Sequence, residues 1–266
     1  AIINSGAKPK FADIGEDLLI NYKNLDKLIT TLLLGIRSLL FYIGFVCIIA
    51  LASTLTCLLF FLPFRLLQQI ATSGNYVIML WLRVTCGIKI KVSGSENLPS
   101  GPCVILSNHQ SSWEAFYMQW YFQPASFILK RELLWIPFFG WALYFMKPIA
   151  IRRSKPSKAI RWVLKQGTLR IKAGNRIVIY PEGTRVKDGN LGEFKTSGAA
   201  LAKSAQVPVI PVAHNAGEHW KQTGFMKIPG TIHMQIGPAI DSSELSAREI
   251  TEQAHSWVES SLKRQD

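Results

Sequence analysis

The 266-residue sequence lacks the signatures of several common enzyme classes. No G-x-S-x-G segment occurs, which excludes the nucleophile elbow of the serine hydrolases. Neither G-x-x-x-x-G-K-[ST] nor G-x-G-x-x-G occurs, which argues against a P-loop or dinucleotide-binding enzyme. The chain also has no HExxH segment and no Cys/His cluster. We therefore expect no metal and no cofactor.

Cysteine is scarce, with four residues at positions 47, 57, 86 and 103. All four lie in apolar surroundings and none forms a CxxC pair. This pattern predicts buried, reduced thiols in a protein that faces the cytosol.

Acidic residues are few, since 17 Asp and Glu stand against 30 Lys and Arg, and the net charge is +13. Residues 1–62 hold five basic and four acidic residues, so nearly all of the excess lies after them. A basic region behind an apolar segment favours anionic lipid or phosphate ligands. The cations are scattered and form no RNA-binding or zinc-finger pattern, which argues against nucleic acid.

Charge is absent altogether from Ser38 to Pro63, a stretch of 26 positions. About 20 apolar residues suffice to span a bilayer as a helix. The stretch predicts either a transmembrane helix or a re-entrant pair of short helices broken near Ala52-Ser53-Thr54. Residues 1–27 before it are polar and predict a loose extension with a short helix at Asp17–Lys27. They lack the layout of a signal peptide.

Residues 64–87 have apolar side chains at gaps of three and four, interrupted by arginine and glutamine. This period is typical of an amphipathic helix or helix pair. It fits a helix lying in the membrane interface, with Trp81 at headgroup depth, and equally a helix facing the core. We assign residues 28–87 to a membrane-anchoring helical region.

Residues 88–266 alternate between short apolar runs and longer periodic segments. Such alternation predicts an α/β domain, with a mixed, mostly parallel sheet and helices on both faces. The strand candidates are Ile88–Val92, Cys103–Leu106, Ser126–Leu129, Ile149–Ile151, Ile177–Tyr180, Val207–Val212 and Thr231–Ile236, and the helix candidates are Ser112–Phe122, Ser157–Ala173, Ser197–Ala205 and Ala247–Lys263.

The segment after the second strand candidate places His109 five positions before Glu114. His109 falls in the strand-to-helix turn and Glu114 in the first helical turn, so the two side chains can meet. A neutral imidazole can take a proton from an alcohol while a carboxylate fixes its tautomer. The competing interpretation is a capping box, Ser111-x-x-Glu114, in which the glutamate satisfies only a backbone donor.

A second motif, Pro181-Glu182-Gly183-Thr184-Arg185, follows another strand candidate. Gly183 permits a close approach of the backbone to a ligand, and Arg185 can bind a phosphate through its planar fork of donors. The alternative is a structural turn in which Arg185 pairs with Glu182.

Further cations follow strand ends, where ligands of α/β sheets bind. They are Lys130-Arg131, Arg152-Arg153 and, before a helix, Lys195. Each of them taken alone is equally consistent with a solvated surface charge.

Four blocks of this sequence resemble those of the glycerophospholipid acyltransferases, and they occur in the same order over roughly residues 88–240. Asn108–Glu114 is similar to the H-x4-D/E motif, with Glu where Asp is commoner, and residues 181–185 match the E-G-T-R block. Residues 130–153 and 207–212 resemble the other two blocks. The similarity is greatest to bacterial enzymes that act on 1-acylglycerol-3-phosphate.

The resemblance implies a membrane-bound enzyme that moves an acyl group from acyl-CoA or acyl-carrier protein to a lysophospholipid hydroxyl. His109 and Glu114 are then the catalytic pair, and the enzyme would lie in the bacterial inner membrane with its active site facing the cytosol. Another acceptor, such as lyso-ornithine lipid, and a non-catalytic membrane-binding protein remain alternatives. The residues implied at the acceptor phosphate are Arg153, Glu182, Gly183, Thr184 and Arg185, with Lys130 and Lys195 as further candidates.

Two positions depart from the family pattern. Lys147 stands where Gly is frequent, and Arg152 stands where Asp often precedes the family arginine. The family arginine is therefore assigned to Arg153.

Overall fold

The computed structural model describes residues 12–152, 156–186 and 190–264. Its centre is a seven-stranded sheet in the order β1-β7-β6-β2-β5-β3-β4. Five neighbouring strands, β6 to β4, run parallel, whereas β7 is antiparallel to β6 and β1 follows the direction of β7. The strands are Ile88–Ser93 (β1), Val104–Ser107 (β2), Ala125–Lys130 (β3), Ile149–Ile151 (β4), Arg176–Ile179 (β5), Val209–His214 (β6) and Gly230–Ile236 (β7).

Helices cover both faces of the sheet. Because successive strand residues point to opposite faces, Ile105 of β2 faces one apolar cluster while Val104 and Leu106 face the other. The predicted mixed, mostly parallel α/β fold with helices on both faces is confirmed. The helices are Ala12–Leu58 (α1), Phe64–Cys86 (α2), Trp113–Tyr121 (α3), Phe139–Phe145 (α4), Pro156–Lys172 (α5), Ser197–Ala205 (α6), Ala216–His219 (α7) and Ala247–Lys263 (α8), with 3₁₀ turns at Ser95–Asn97 and Arg131–Trp135.

The shared direction of the parallel strands determines where the candidate site lies. β2, β5, β3 and β4 all end at one edge of the sheet, which we call the catalytic edge. His109 follows β2 and Glu182 follows β5, so the two motifs, 73 positions apart in sequence, lie on neighbouring strands. The interior strands β2 and β6 are buried throughout, as expected for strands covered on both faces.

The long helix α1 differs from the sequence-based expectation. It starts at Ala12, so the short helix predicted at Asp17–Lys27 is part of a longer one, and residues 1–11 lie outside the described range. The break predicted near Ala52–Thr54 is wrong, because the helix continues to Leu58. The Thr56 hydroxyl donates to the Ala52 carbonyl at 2.7 Å, so this polar segment bonds within the helix and does not interrupt it.

Residues 24–58 of α1 are long and apolar enough to cross a membrane, and an 18-residue window within them has a mean hydropathy of 2.3. Most of this segment is not covered by the rest of the chain, and Leu51 is 72% exposed. The chain turns back after residue 58. α2 begins directly after Pro63, whose fixed φ suits the start of a helix.

α2 has one core-facing side and one outward apolar side. Ile78 and Leu82 are buried, as the core-facing interpretation requires, whereas Val84 on the other side is 75% exposed. Trp81 lies against α1, with its indole nitrogen 3.2 Å from the carbonyl oxygens of Leu40 and Phe41. Trp81 thus forms part of the contact between the two helices, and its placement at headgroup depth stays a prediction.

Candidate active site

The turn after β2 brings His109 and Glu114 together. Nδ1 of His109 lies 2.7 Å from Oε1 of Glu114, which is fully buried in the first turn of α3. The same oxygen accepts from the backbone N–H groups of Gln110 at 2.9 Å and Ser111 at 2.7 Å. The glutamate thus orients the imidazole and satisfies the backbone, so both interpretations of the motif describe parts of one arrangement.

Glu114 is held in its ionised form. Burial raises its pKa, but the hydrogen bond with His109, charge interactions and the N–H of Ser111 outweigh that effect, and the net pKa is lowered. A carboxylate in this position favours the His109 tautomer that carries its proton on Nδ1. Nε2 of His109 is then the nitrogen with a free lone pair.

The face of the His109 ring is covered by Tyr180, which the sequence did not single out. The rings stack with centroids 4.2 Å apart and an angle of 10° between their planes. Burial raises the pKa of Tyr180 well above its usual range, so the phenol stays neutral. Its position immediately before the P-E-G-T-R segment was the available signal, because that places it at the end of β5.

Glu182 joins the two motifs. Its Oε2 accepts from the backbone N–H of His109 at 2.8 Å, and its Oε1 accepts from that of Gly192 at 3.0 Å. Burial raises its pKa to about 7. No ion pair joins Glu182 to Arg185 within the described residues, so the alternative of a turn closed by that pair is wrong.

The backbone donors around His109 are already occupied. The N–H of His109 donates to Glu182, and those of Gln110 and Ser111 donate to Glu114. These three N–H groups are therefore not free to form an oxyanion hole. An oxyanion at this site requires donors from elsewhere.

A second buried set of hydrogen bonds, on the other side of the turn, was not predicted from the sequence. Asn108 donates its side-chain N–H to the His214 carbonyl at 2.8 Å and accepts from the His214 backbone N–H at 3.1 Å. Nδ1 of His214 accepts from the Ala216 N–H, so its Nε2–H donates to the Asn108 carbonyl. Burial lowers the pKa of His214, which keeps its ring neutral. β6 thereby fixes the backbone on which His109 stands.

Two cationic side chains, Arg185 and Lys195, belong to or lie against the E-G-T-R turn. Gly183 has φ of 75°, a conformation that favours glycine, and a Cβ there would lie 3.2 Å from Nζ of Lys195. Lys195 therefore lies against this turn, as the sequence suggested. Nε of Arg185 is buried without a hydrogen-bond partner in the described part of the chain. An anionic ligand would satisfy a buried donor that has no other partner.

Of the other predicted phosphate ligands, Lys130 lies away from the pair. Lys130 is exposed at the end of β3, two strands from β2, which is about 10 Å across the sheet. The structure shows no contact between Lys130 and the His109–Glu114 pair. Arg153 lies outside the described residues. Thr184 is exposed in the same turn as Gly183.

Comparison with known proteins places the chain in a family. Residues 89–215 match the family described as Acyltransferase. The 1-acyl-sn-glycerol-3-phosphate acyltransferase of Pseudomonas aeruginosa is 46% identical over 205 residues, covering 76% of this chain and 80% of that protein. This chain belongs to the acyltransferase family.

This acyltransferase also has distant relatives. Human 1-acyl-sn-glycerol-3-phosphate acyltransferase beta is 32% identical over 167 residues, which is 62% of this chain and 60% of the human one. The crystal structure of the 1-acyl-sn-glycerophosphate acyltransferase PlsC from Thermotoga maritima shares its fold with a TM-score of 0.73. That match has 22% sequence identity and covers 86% of this chain and 94% of the other.

Proposed function

We propose that this acyltransferase moves a fatty acyl group from a thioester donor to the free hydroxyl of 1-acylglycerol-3-phosphate, which yields phosphatidic acid. The observation that carries the proposal is the His109–Glu114 pair, with Nδ1 held at 2.7 Å and Nε2 without a hydrogen bond among the described residues. The names of the similar proteins support the same substrate.

In the proposed reaction, Nε2 of His109 removes the proton from the acceptor hydroxyl. The resulting oxygen nucleophile attacks the thioester carbonyl and forms a tetrahedral intermediate. This intermediate collapses to the ester and expels the thiolate, which takes the proton back from the imidazolium. Ionised Glu114 stabilises the imidazolium while it exists. The substrate supplies the nucleophile, so no enzyme serine or cysteine is needed.

The acceptor phosphate is proposed to lie at the E-G-T-R turn. Arg185, with its buried unpartnered Nε, and Lys195, beside Gly183, supply positive charge there. Glu182 acts differently from the phosphate-site role suggested by the sequence, since it binds backbone donors of both loops. It is a positioning residue, and Arg153 and Lys130 remain proposed ligands of the phosphate.

Membrane attachment is proposed through residues 28–87, in the inner membrane and with the active site on the cytosolic side. The exposed apolar side chains of α1 and α2 support this, because soluble surfaces rarely carry such a contiguous patch. The acceptor is itself a membrane lipid, so a membrane-bound site has direct access to it.

The test is a thioester-consumption assay with the purified full chain in nanodiscs. A long-chain acyl-CoA is the donor, and the acceptors are 1-acylglycerol-3-phosphate, lyso-ornithine lipid and a neutral lysolipid, with products identified by mass spectrometry. We expect phosphatidic acid to form fastest. Preferential acylation of lyso-ornithine lipid would overturn the acceptor, and no ester from any lysolipid would overturn the acyl-transfer function.

A further inference from the structure

A groove of about 1010 Å³ runs along β4, the last strand of the sheet. We call it the edge groove. Its walls come from the turn between α1 and α2, from the segment between β3 and β4, and from one face of α5. It is distinct from the His109–Glu114 turn, none of whose residues lines it.

The lining of the edge groove is strongly basic. Five cationic side chains line it, and none of its lining residues is acidic. None of the five takes part in any of the ion pairs found among the described residues. Unneutralised cations around one concavity raise the local concentration of anions. The five are Arg131, Lys147, Arg152, Lys158 and Arg170.

The groove also has aromatic walls. Phe60 stacks on Phe145 with centroids 5.7 Å apart, and Trp162 is 46% exposed. Nζ of Lys147 lies 4.6 Å from the ring centre of Phe64. Aromatic faces beside cations are the combination that binds a base together with its phosphates.

Helix α5 presents a regular stripe to the groove. Lys158, Trp162, Gln166 and Arg170 all line it at intervals of four residues, which share one helix face. Lys158 and Arg170 are separated by about 18 Å along the helix axis at 1.5 Å per residue. The groove is therefore long enough for an extended ligand.

One end of the groove reaches the catalytic edge. Arg131 follows β3 and Arg152 follows β4, both at the edge where His109 follows β2. β4 is three strands from β2, which is about 14 Å at the usual strand spacing. A pantetheine arm has the length of about four extended residues, or about 14 Å. A nucleotide in the groove can thus present its thioester near His109.

We propose that the edge groove binds the phosphorylated nucleotide of a coenzyme A thioester, with the pantetheine arm crossing the catalytic edge to His109. This inference rests on the proposed acyl-transfer function. The three phosphoryl groups of coenzyme A carry about four negative charges at neutral pH, which the five cations match. A bilayer phosphodiester offers one charge and no base, and an acidic carrier protein docks on an open surface, so neither explains the aromatic-lined concavity as well.

The test varies protein and donor together. The variant Lys158→Gln/Arg170→Gln is compared with Lys165→Gln, an exposed cation on α5 that does not line the groove. The donors are acyl-CoA, acyl-dephospho-CoA and acyl-pantetheine, all with the same acyl chain. We expect the double variant to raise the KM for acyl-CoA about 10-fold to 100-fold, as for a lost charge-assisted hydrogen bond. Its KM for acyl-pantetheine and for the acceptor should stay unchanged, and Lys165→Gln should change none of them.

Other outcomes overturn the proposal. An equal loss with acyl-pantetheine would mean a structural effect, which the charge-conserving variant Lys158→Arg checks because it should retain the KM for acyl-CoA. A loss seen only with acyl-carrier protein would assign the groove to a carrier protein. If anionic vesicles no longer stimulate turnover by the double variant while its KM for the donor is unchanged, the groove would be assigned to a lipid headgroup.

Binding of coenzyme A itself, measured by calorimetry in neutral nanodiscs, gives a readout independent of turnover. We expect the double variant to weaken it, and unchanged binding would count against the groove. If the wild type consumes no thioester with any lysolipid but still binds coenzyme A through the groove, the proposed function fails and the groove assignment stands.

Discussion

At the scale of single residues, Glu114 combines two roles in one oxygen atom. Its Oε1 accepts from His109, Gln110 and Ser111, whereas its Oε2 is buried with no partner in the described part of the chain. The carboxylate therefore shapes the turn through hydrogen bonds and acts on the imidazole through charge. A substitution that keeps the hydrogen bonds of the turn and removes the charge separates these two effects.

Glu114→Gln makes that separation, because an amide oxygen can take the place of Oε1 and the amide nitrogen the place of unpartnered Oε2. We expect the fold to be retained and kcat to fall about 10²–10⁴-fold, comparable to the loss for His109→Ala, since the imidazolium loses its counter-charge. Glu114→Asp should keep activity, because the motif that this segment resembles commonly carries Asp. Full turnover by Glu114→Gln would show that the residue serves the turn alone.

Arg185 is the residue whose buried Nε lacks a partner. We expect Arg185→Ala to raise the KM for the phosphate-bearing acceptor by a factor corresponding to about 1.5–3 kcal/mol, the contribution of a hydrogen bond to a charged group. The KM for the thioester should change much less. Steady-state kinetics with each substrate varied in turn decides this, and equal weakening of both would indicate a structural role.

At the scale of elements, the site depends on loops after neighbouring strands being tied together. The loop after β5 holds the loop after β2 through Glu182 and through the Val186 N–H, which donates to the His109 carbonyl at 2.8 Å. Asn108 and His214 tie the same turn to β6. The position of His109 is therefore set by three strand ends.

Glu182 makes this connection sensitive to pH. Folding raises its pKa from about 4.5 to about 7, so the folded state disfavours the charged form. The unfolded chain binds fewer protons between these values, and the stability contributed by Glu182 falls as pH rises from about 4.5 through 7. We expect the thermal midpoint of Glu182→Gln, measured relative to wild type, to be higher at pH 8 than at pH 5. A difference that is constant with pH would contradict this.

At the scale of the whole molecule, most of the exposed large apolar side chains lie on α1 and α2. The exposed apolar side chains of α1 and α2 contrast with the cations that follow β3 and β4. In the proposed membrane attachment, the apolar surface would enter the bilayer, and Lys and Arg on the cytosolic side would be attracted to anionic headgroups. This arrangement supports a peripheral catalytic domain attached by the helical region.

We expect residues 88–266 to face the cytosol. Protease added to intact spheroplasts should leave this region uncut, whereas lysed spheroplasts should show cleavage in it. Cleavage in intact spheroplasts would place the domain outside and contradict the orientation.

Deleting residues 1–62 should weaken membrane association in a flotation assay but leave part of it, because α2 keeps its exposed apolar face.

The order of helices and strands along the chain and the candidate site residues could be predicted from the sequence. All seven strand candidates match strands to within two residues at their ends, and α6 and α8 have the predicted bounds. Period and burial pattern carry this information, because they depend on near neighbours in sequence. The spacing of His109 and Glu114 was likewise informative, since five residues across one strand-to-helix turn leave little freedom. The short α4 and α7 were missed, having too few turns to show a period.

Contacts between segments that are distant in sequence could be found only in the folded chain. Tyr180 over His109, Glu182 on the His109 N–H and His214 on Asn108 join residues 71 to 106 positions apart. Strand order sets these pairs, and no local pattern records strand order. Lys147 illustrates the limit as well: its φ of 50° explains why glycine is frequent there, yet only the folded chain shows its ammonium beside Phe64 in the edge groove. The physical reason is that sequence period fixes which face is apolar, whereas packing fixes what that face meets.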